Sequence, residues 1–235
     1  MALPTPTRSD GPDSATRRSK AADDHRVTLL FATILATSLG GLVLALRFPT
    51  EAEGFTYAIV AEDPTALWVF LLAAGVNLAV GVTVLAVAGM SLARQRGAVW
   101  ATVGAASMWL GAGLYAVGIG NWAGMFAAAT HPTVLDEPAS RALVDAIDAD
   151  AARMWAAPGG GAALVAIGTV LLAVGLWRAH SVPRWIPIVA AVSIVVSFLG
   201  PTSGLVGLFV EGPIAVSSIA IGWYAWRDAG THERR

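Results

Sequence analysis

Apolar residues in this chain gather into long unbroken runs instead of alternating with polar ones. The runs fall near Val27–Leu46, Ala66–Leu92, Ala98–Ala123, Ala157–Trp177, Trp185–Gly200 and Gly204–Trp226. An α-helix needs about 20 mostly apolar residues to cross a bilayer core of about 30 Å. The period-two alternation of a half-buried strand is missing from these stretches. Inside hydrocarbon a backbone must satisfy its own hydrogen bonds, which a helix does within one segment. The pattern therefore predicts an all-α polytopic membrane protein with six transmembrane helices, spanning residues 27–227. The fifth run is the shortest and would reach only about 24 Å as a helix.

The polar segments between the runs predict an orientation. One set comprises residues 1–26, the turns SLARQRG and RAHSVPRW, and the tail at 228–235. It carries most of the basic residues, among them Arg94, Arg96, Arg178, Arg184 and Arg227. The opposite set holds only Arg47, Arg141 and Arg153. Basic flanks stay in the cytoplasm, so both termini are expected inside, as six crossings require. Tryptophans, which favour the two interfaces, agree: Trp68, Trp122 and Trp155 fall at outer ends, and Trp100, Trp177, Trp185, Trp223 and Trp226 at inner ends. Residues 1–26 are polar, contain prolines and lack apolar periodicity, so a disordered tail is expected there.

Two outer segments are long. In the second, Leu143, Val144, Ile147, Ala151 and Met154 recur at helical spacing, with Asp145, Asp148 and Asp150 off that stripe. This predicts an amphipathic helix at about 137–155, lying on the outer surface. Small residues mark helix faces elsewhere. Gly104, Gly111 and Gly118 are spaced by seven, as are Gly161, Gly168 and Gly175. Such a stripe lets two backbones approach closely. Asn77 shares a face with Ala74 and Gly81, which suits an interhelical hydrogen bond.

Composition narrows the chemistry. The chain has 235 residues, 56% hydrophobic and 13% charged, with a formal net charge of −1. Nothing in that balance suggests a nucleic-acid partner; the expected partner is the lipid bilayer. There is no cysteine, which removes thiol redox chemistry and cysteine-ligated metals. None of His25, His131, His180 and His232 lies within a span, so haem held between helices lacks its ligands. No metal motif, nucleophile–base set or P-loop is visible, and no cofactor or enzyme activity is expected. The abundance of Ala, Gly, Val and Arg fits a bacterial cytoplasmic membrane.

One residue stands against the pattern. Glu211 is the only acid inside a predicted span. An ionisable side chain at membrane depth is expensive, and by default marks a functional site. Pro213 follows and cannot donate to the Phe209 carbonyl. With a short fifth helix, the turn GPTSG would sink below the outer surface, leaving Glu211 at the floor of an outward-facing depression. Its candidate partners in the outer half are Arg47, Asn121, Thr202 and Ser203.

The join between the fourth and fifth runs, carried by Leu176, Trp177, Arg178, Val182, Pro183, Arg184 and Trp185, resembles uncharacterised six-span integral membrane proteins of actinobacteria, filed as a domain of unknown function. That resemblance spans the last third of the chain and implies no activity. Two function classes stay open. One is binding or transport of a small solute, cation or proton around Glu211. The other is a non-catalytic membrane assembly or regulatory partner, with Glu211 as a structural helix pin and protein partners unidentified.

Overall fold

The computed structural model describes residues 12–47, 55–131, 133–199 and 204–232. They form helices α1 (Pro12–Arg47), α2 (Tyr57–Glu62), α3 (Pro64–Leu92), α4 (Ala98–Thr130), α5 (Glu137–Ala149), α6 (Ala151–Met154), α7 (Ala156–Ala179), α8 (Trp185–Leu199) and α9 (Gly204–His232). Among the described residues there is no strand. Five of the helices are long and apolar enough to cross a membrane, and α8 is a shorter apolar helix. The protein is thus an all-helical polytopic membrane protein.

Local chemistry explains several boundaries. Asp63 caps α3 by accepting from the Ala66 amide at 2.9 Å, with Pro64 at the first helical position. Asp136 does the same for α5 through the Ala139 amide at 3.1 Å. A proline at that position lacks an amide that would be unpaired anyway, and a capping carboxylate satisfies one that remains. α7 ends where His180 takes the left-handed conformation, at φ 54°.

Two elements differ from the sequence expectation. α1 begins at Pro12, so residues 12–26 are helical where their polarity predicts a tail. An anchored apolar helix extends outward without a new nucleation step, and this stretch has many good helix formers. The rest of that tail, residues 1–11, and of the tail at the other end, residues 233–235, lie outside the described residues. α4 runs on to Thr130 through the helix-favouring string FAAAT.

The long helices pack antiparallel. Gly97, just before α4, and Gly104 and Gly111 within it meet Gly175, Gly168 and Gly161 of α7 in reverse order. A Cβ on Gly104 would stand 2.6 Å from the Gly168 carbonyl oxygen, and one on Gly161 would stand 2.6 Å from the Gly111 carbonyl oxygen. Only glycine allows this approach, and α4–α7 is accordingly the most extensive helix pair. Gly118 continues the face against Pro158. A second antiparallel pair joins α1 to α9. There Gly222 faces Ile34, and Phe31 packs on Trp223 and Trp226 at ring distances of 5.9 and 6.2 Å. α3 touches both pairs, packing on α4 through Gly75 and on α1 through Gly81, which faces Thr37.

One end of the bundle is covered. Val144 of α5 is buried, and Leu143, Ile147 and Met154 pack with Val60, Leu67, Trp122 and Phe126. Trp122 donates its indole N–H to the Met154 carbonyl at 3.3 Å and meets Trp155 edge-on at 4.6 Å. Arg141 lies over the Tyr57 ring, 4.7 Å from its centre, tying α5 to α2. The apolar stripe of α5 therefore faces the protein, while Asp145, Asp148 and Asp150 are exposed.

Candidate functional site

A cavity of about 890 Å³ separates the α4–α7 pair from the α1–α9 pair. α3 and α8 also contribute to its wall. Its extent along the bundle follows from the lining. Phe55, Asp148, Trp155 and Gly159 lie at the covered end, and Leu85, Leu176, Ala190 and Ile221 at the other. The glycine-tight seams bring helices together in pairs, and the cavity is the space left between those pairs.

Glu211 lines this cavity and is half-buried. Among the described residues no hydrogen bond or ion pair reaches it. Tyr115 lines the same space, within electrostatic range of the carboxylate. Asn77 lines it from α3, where a Cβ on Gly40 of α1 would stand 2.6 Å from its Oδ1. α9 continues through Pro213 without a break in helix, although that residue has no amide to offer the Phe209 carbonyl.

Many of the wall hydroxyls are turned back on their own helices. Thr37 donates to the Thr33 carbonyl at 2.9 Å, Thr169 to Val165 at 2.8 Å, Ser197 to Ile194 at 2.9 Å and Ser217 to Ile214 at 3.0 Å. Helical hydroxyls commonly satisfy themselves this way. Among the described residues, no hydrogen bond reaches the side chains of Ser38, Asn77, Tyr115, Ser218 and Glu211 in this wall. Asp148 adds a second carboxylate at the covered end.

The other partners suggested for Glu211 are placed differently. Arg47 is exposed at the end of α1 and is not part of the cavity wall. Asn121 is exposed on α4, with its amide 3.5 Å from the Met125 sulfur. Thr202 and Ser203 lie outside the described residues. Sequence reasoning missed Tyr115, Asp148 and Trp155 as wall residues. Trp155 was placed at the interface and Asp148 on the polar face of α5, and neither position reveals that α5 and α6 fold over the cavity end. Among the described residues no cluster of three or more His, Asp or Glu could hold a metal ion.

The family described as a domain of unknown function, DUF4386, matches residues 27–226. The chain belongs to this family. No curated protein and no solved structure matches it. The DUF4386 region includes every residue of the cavity wall, from Ile34 to Ile221. It also extends well beyond the short join from Leu176 to Trp185. The cavity and its carboxylate thus lie within the matched residues of this chain and not in a flanking segment.

Proposed function

We propose that this DUF4386 protein binds a small solute or cation within the membrane, in the cavity around Glu211, as part of transport or sensing. The observation that carries the reading is Glu211 itself: a carboxylate facing a cavity of about 890 Å³ with no partner among the described residues. Pockets for small molecules usually occupy about 300–1,000 Å³. A buried ionised carboxylate without compensation is strongly unfavourable, so either an occupant or a proton completes this site. A helix pin would need a partner on a neighbouring helix, and the described residues offer Glu211 none.

The orientation belongs to the same proposal. Arg94, Arg96, Arg178 and Arg184 border the end opposite the covered one. With basic flanks in the cytoplasm, the cavity end bearing Asp148 and Trp155 faces outward, α8 makes a sixth crossing, and the membrane is the bacterial cytoplasmic one. One observation favours assembly with other membrane proteins as a second role: Gly113, Gly120 and Gly124 of α4 have open space where a side chain would be. Small residues on a lipid-facing surface suit a helix partner.

The test uses the full chain in lipid nanodiscs. Thermal unfolding and tryptophan fluorescence are followed while inorganic cations and a panel of small solutes are added. The wild type should respond to at least one addition. Ala74→Phe, which fills the cavity from α3, should fold and lose that response. A wild type blind to every addition, with Glu211→Gln and Ala74→Phe indistinguishable from it, would remove the binding role.

A further inference from the structure

We infer that the occupant is an organic monocation: an amine or ammonium group held at Glu211, on an apolar or aromatic body that fills the rest of the cavity. This deepens the binding role proposed above and rests on it.

Charge comes first. The described wall contains two carboxylates, Glu211 and Asp148, and no Lys, Arg or His. An anion would meet repulsion with nothing to offset it. A neutral ligand would leave the Glu211 carboxylate uncompensated in a largely apolar surround unless it took up a proton, and then its charge would play no part in binding. A cation satisfies both requirements at once.

The chemistry of the wall then decides which cation. A divalent metal takes six to eight oxygen ligands in the case of calcium, or near-ideal octahedral geometry in the case of magnesium. The described residues offer no group of three acidic or imidazole side chains anywhere, so a divalent ion at Glu211 would have to draw most of its ligands from neutral oxygens. A bare monovalent ion would leave nearly all of the 890 Å³ unfilled. An ammonium group needs only one carboxylate and gains further from aromatic faces, and Tyr115 and Trp155 supply these in the same cavity.

The cavity is also polarised along its length. Gly40 of α1 faces Asn77, and Ile34, nearly two turns earlier in α1 and away from the covered end, faces Gly222. Glu211 lies beyond Gly222 toward the covered end, by about 16 Å of helix at 1.5 Å per residue. The charged group of a ligand therefore points to the covered end. Its apolar body lies against Val82, Leu85, Leu172, Leu176 and Ile221 at the other. Asn77 sits between the two and can serve one hydrogen-bonding group on the ligand.

Three probes of nearly one shape separate the contributions: 4-phenylbutylamine, 4-phenylbutanol and 4-phenylbutanoate. Binding is measured calorimetrically to the full chain in phosphatidylcholine nanodiscs, with partition into empty nanodiscs subtracted. A charged hydrogen bond contributes about 1.5–3 kcal/mol, so the amine should bind about tenfold or more tightly than the alcohol. The carboxylate should not bind. Glu211→Gln should bring amine and alcohol to nearly equal affinity, while Glu211→Asp should keep the preference. The comparison of probes on the wild type stands even if Glu211→Gln fails to fold. Equal binding of amine and alcohol by the wild type would overturn the cation inference and leave cavity binding intact. Tetramethylammonium binding as tightly as 4-phenylbutylamine would overturn the apolar body. Failure of all three probes, together with every inorganic cation and solute tried, would instead remove the binding role on which the inference depends.

Discussion

Glycine positions in this bundle divide into two kinds that look alike in sequence. Gly168 is closed, since a Cβ there would stand 2.6 Å from the Gly104 carbonyl oxygen and 2.8 Å from the Met108 amide nitrogen. Gly113 is open, with nothing from a neighbouring helix within 4 Å of where its side chain would begin. Gly168→Val should therefore force α7 away from α4 and destabilise the protein by about 1–3 kcal/mol or more. Gly113→Ala should raise stability by up to about 1 kcal/mol, because alanine is the better helix former. Thermal unfolding in detergent checks both, and equal shifts would contradict the packing. The spacing by seven was legible because it returns a small residue to the same helix face every second turn, as close helix contact needs. The identity of the facing helix was not, since that depends on how the hairpins fold together. The same limit holds at the site. An acid within an apolar run announces itself through its desolvation, which picks out Glu211. Tyr115 and Trp155 carry no such signal, because an aromatic residue on a helix reads equally well as core, as anchor or as cavity wall.

The α5–α6 segment shows what periodicity does and does not tell about an element. Its stripe of Leu143, Val144, Ile147 and Met154 predicts an amphipathic helix whatever surface it meets. Water on one side and any apolar surface on the other give the same pattern, so lipid and protein cannot be told apart. The surface it meets is the aromatic end of the bundle formed by Phe55, Trp122 and Phe126, with rings 5.2–5.6 Å apart. α5 and the residue that joins α6 to α7 thereby become part of the cavity wall, through Asp148 and Trp155. Val144 is 1% exposed, and trimming it to alanine removes two carbons from this contact, or about 1.5 kcal/mol. Val144→Ala should loosen the cover without unfolding the membrane helices. Hydrogen exchange should speed up in residues 137–154 and stay unchanged in α4 and α7. Spin labels give a second measure: labels at Leu143 and Ile147 should be less accessible to water than labels at Asp145 and Asp148. Equal access at all four positions would place the stripe in solvent.

Across the whole molecule, the antiparallel pairs settle which ends belong together. Phe31 of α1 meets Trp223 of α9, and the Trp226 indole stands 3.4 Å from the Thr28 hydroxyl. The start of the apolar part of α1 and the end of α9 therefore share one end of the bundle. α7 runs opposite to α4, and α8 carries the chain from the end of α7 back toward the start of α9. At 15 residues α8 is about 22 Å long, short of the roughly 30 Å of a bilayer core. Hydropathy alone therefore leaves it ambiguous between a crossing and a surface helix, whereas the packing of its neighbours calls for a change of ends. If α8 crosses, both ends of the apolar domain lie on one side of the membrane. If it does not, they lie on opposite sides. The protein has no cysteine, so single-cysteine variants report location without a background. Ala142→Cys, exposed on α5, should react with an impermeant maleimide added to intact cells. Ser91→Cys, exposed at the end of α3, and Asp228→Cys, near the end of α9, should react only after the membrane is broken. Ser140 is a poor reporter despite its position in α5, because it is 2% exposed. Labelling of Ser91→Cys from outside, with Ala142→Cys protected, would invert the orientation and turn the cavity's carboxylates toward the cytoplasm. Labelling of Asp228→Cys from outside with Ser91→Cys still protected would mean that α8 does not cross, and the pairing of α1 with α9 could not be antiparallel as described.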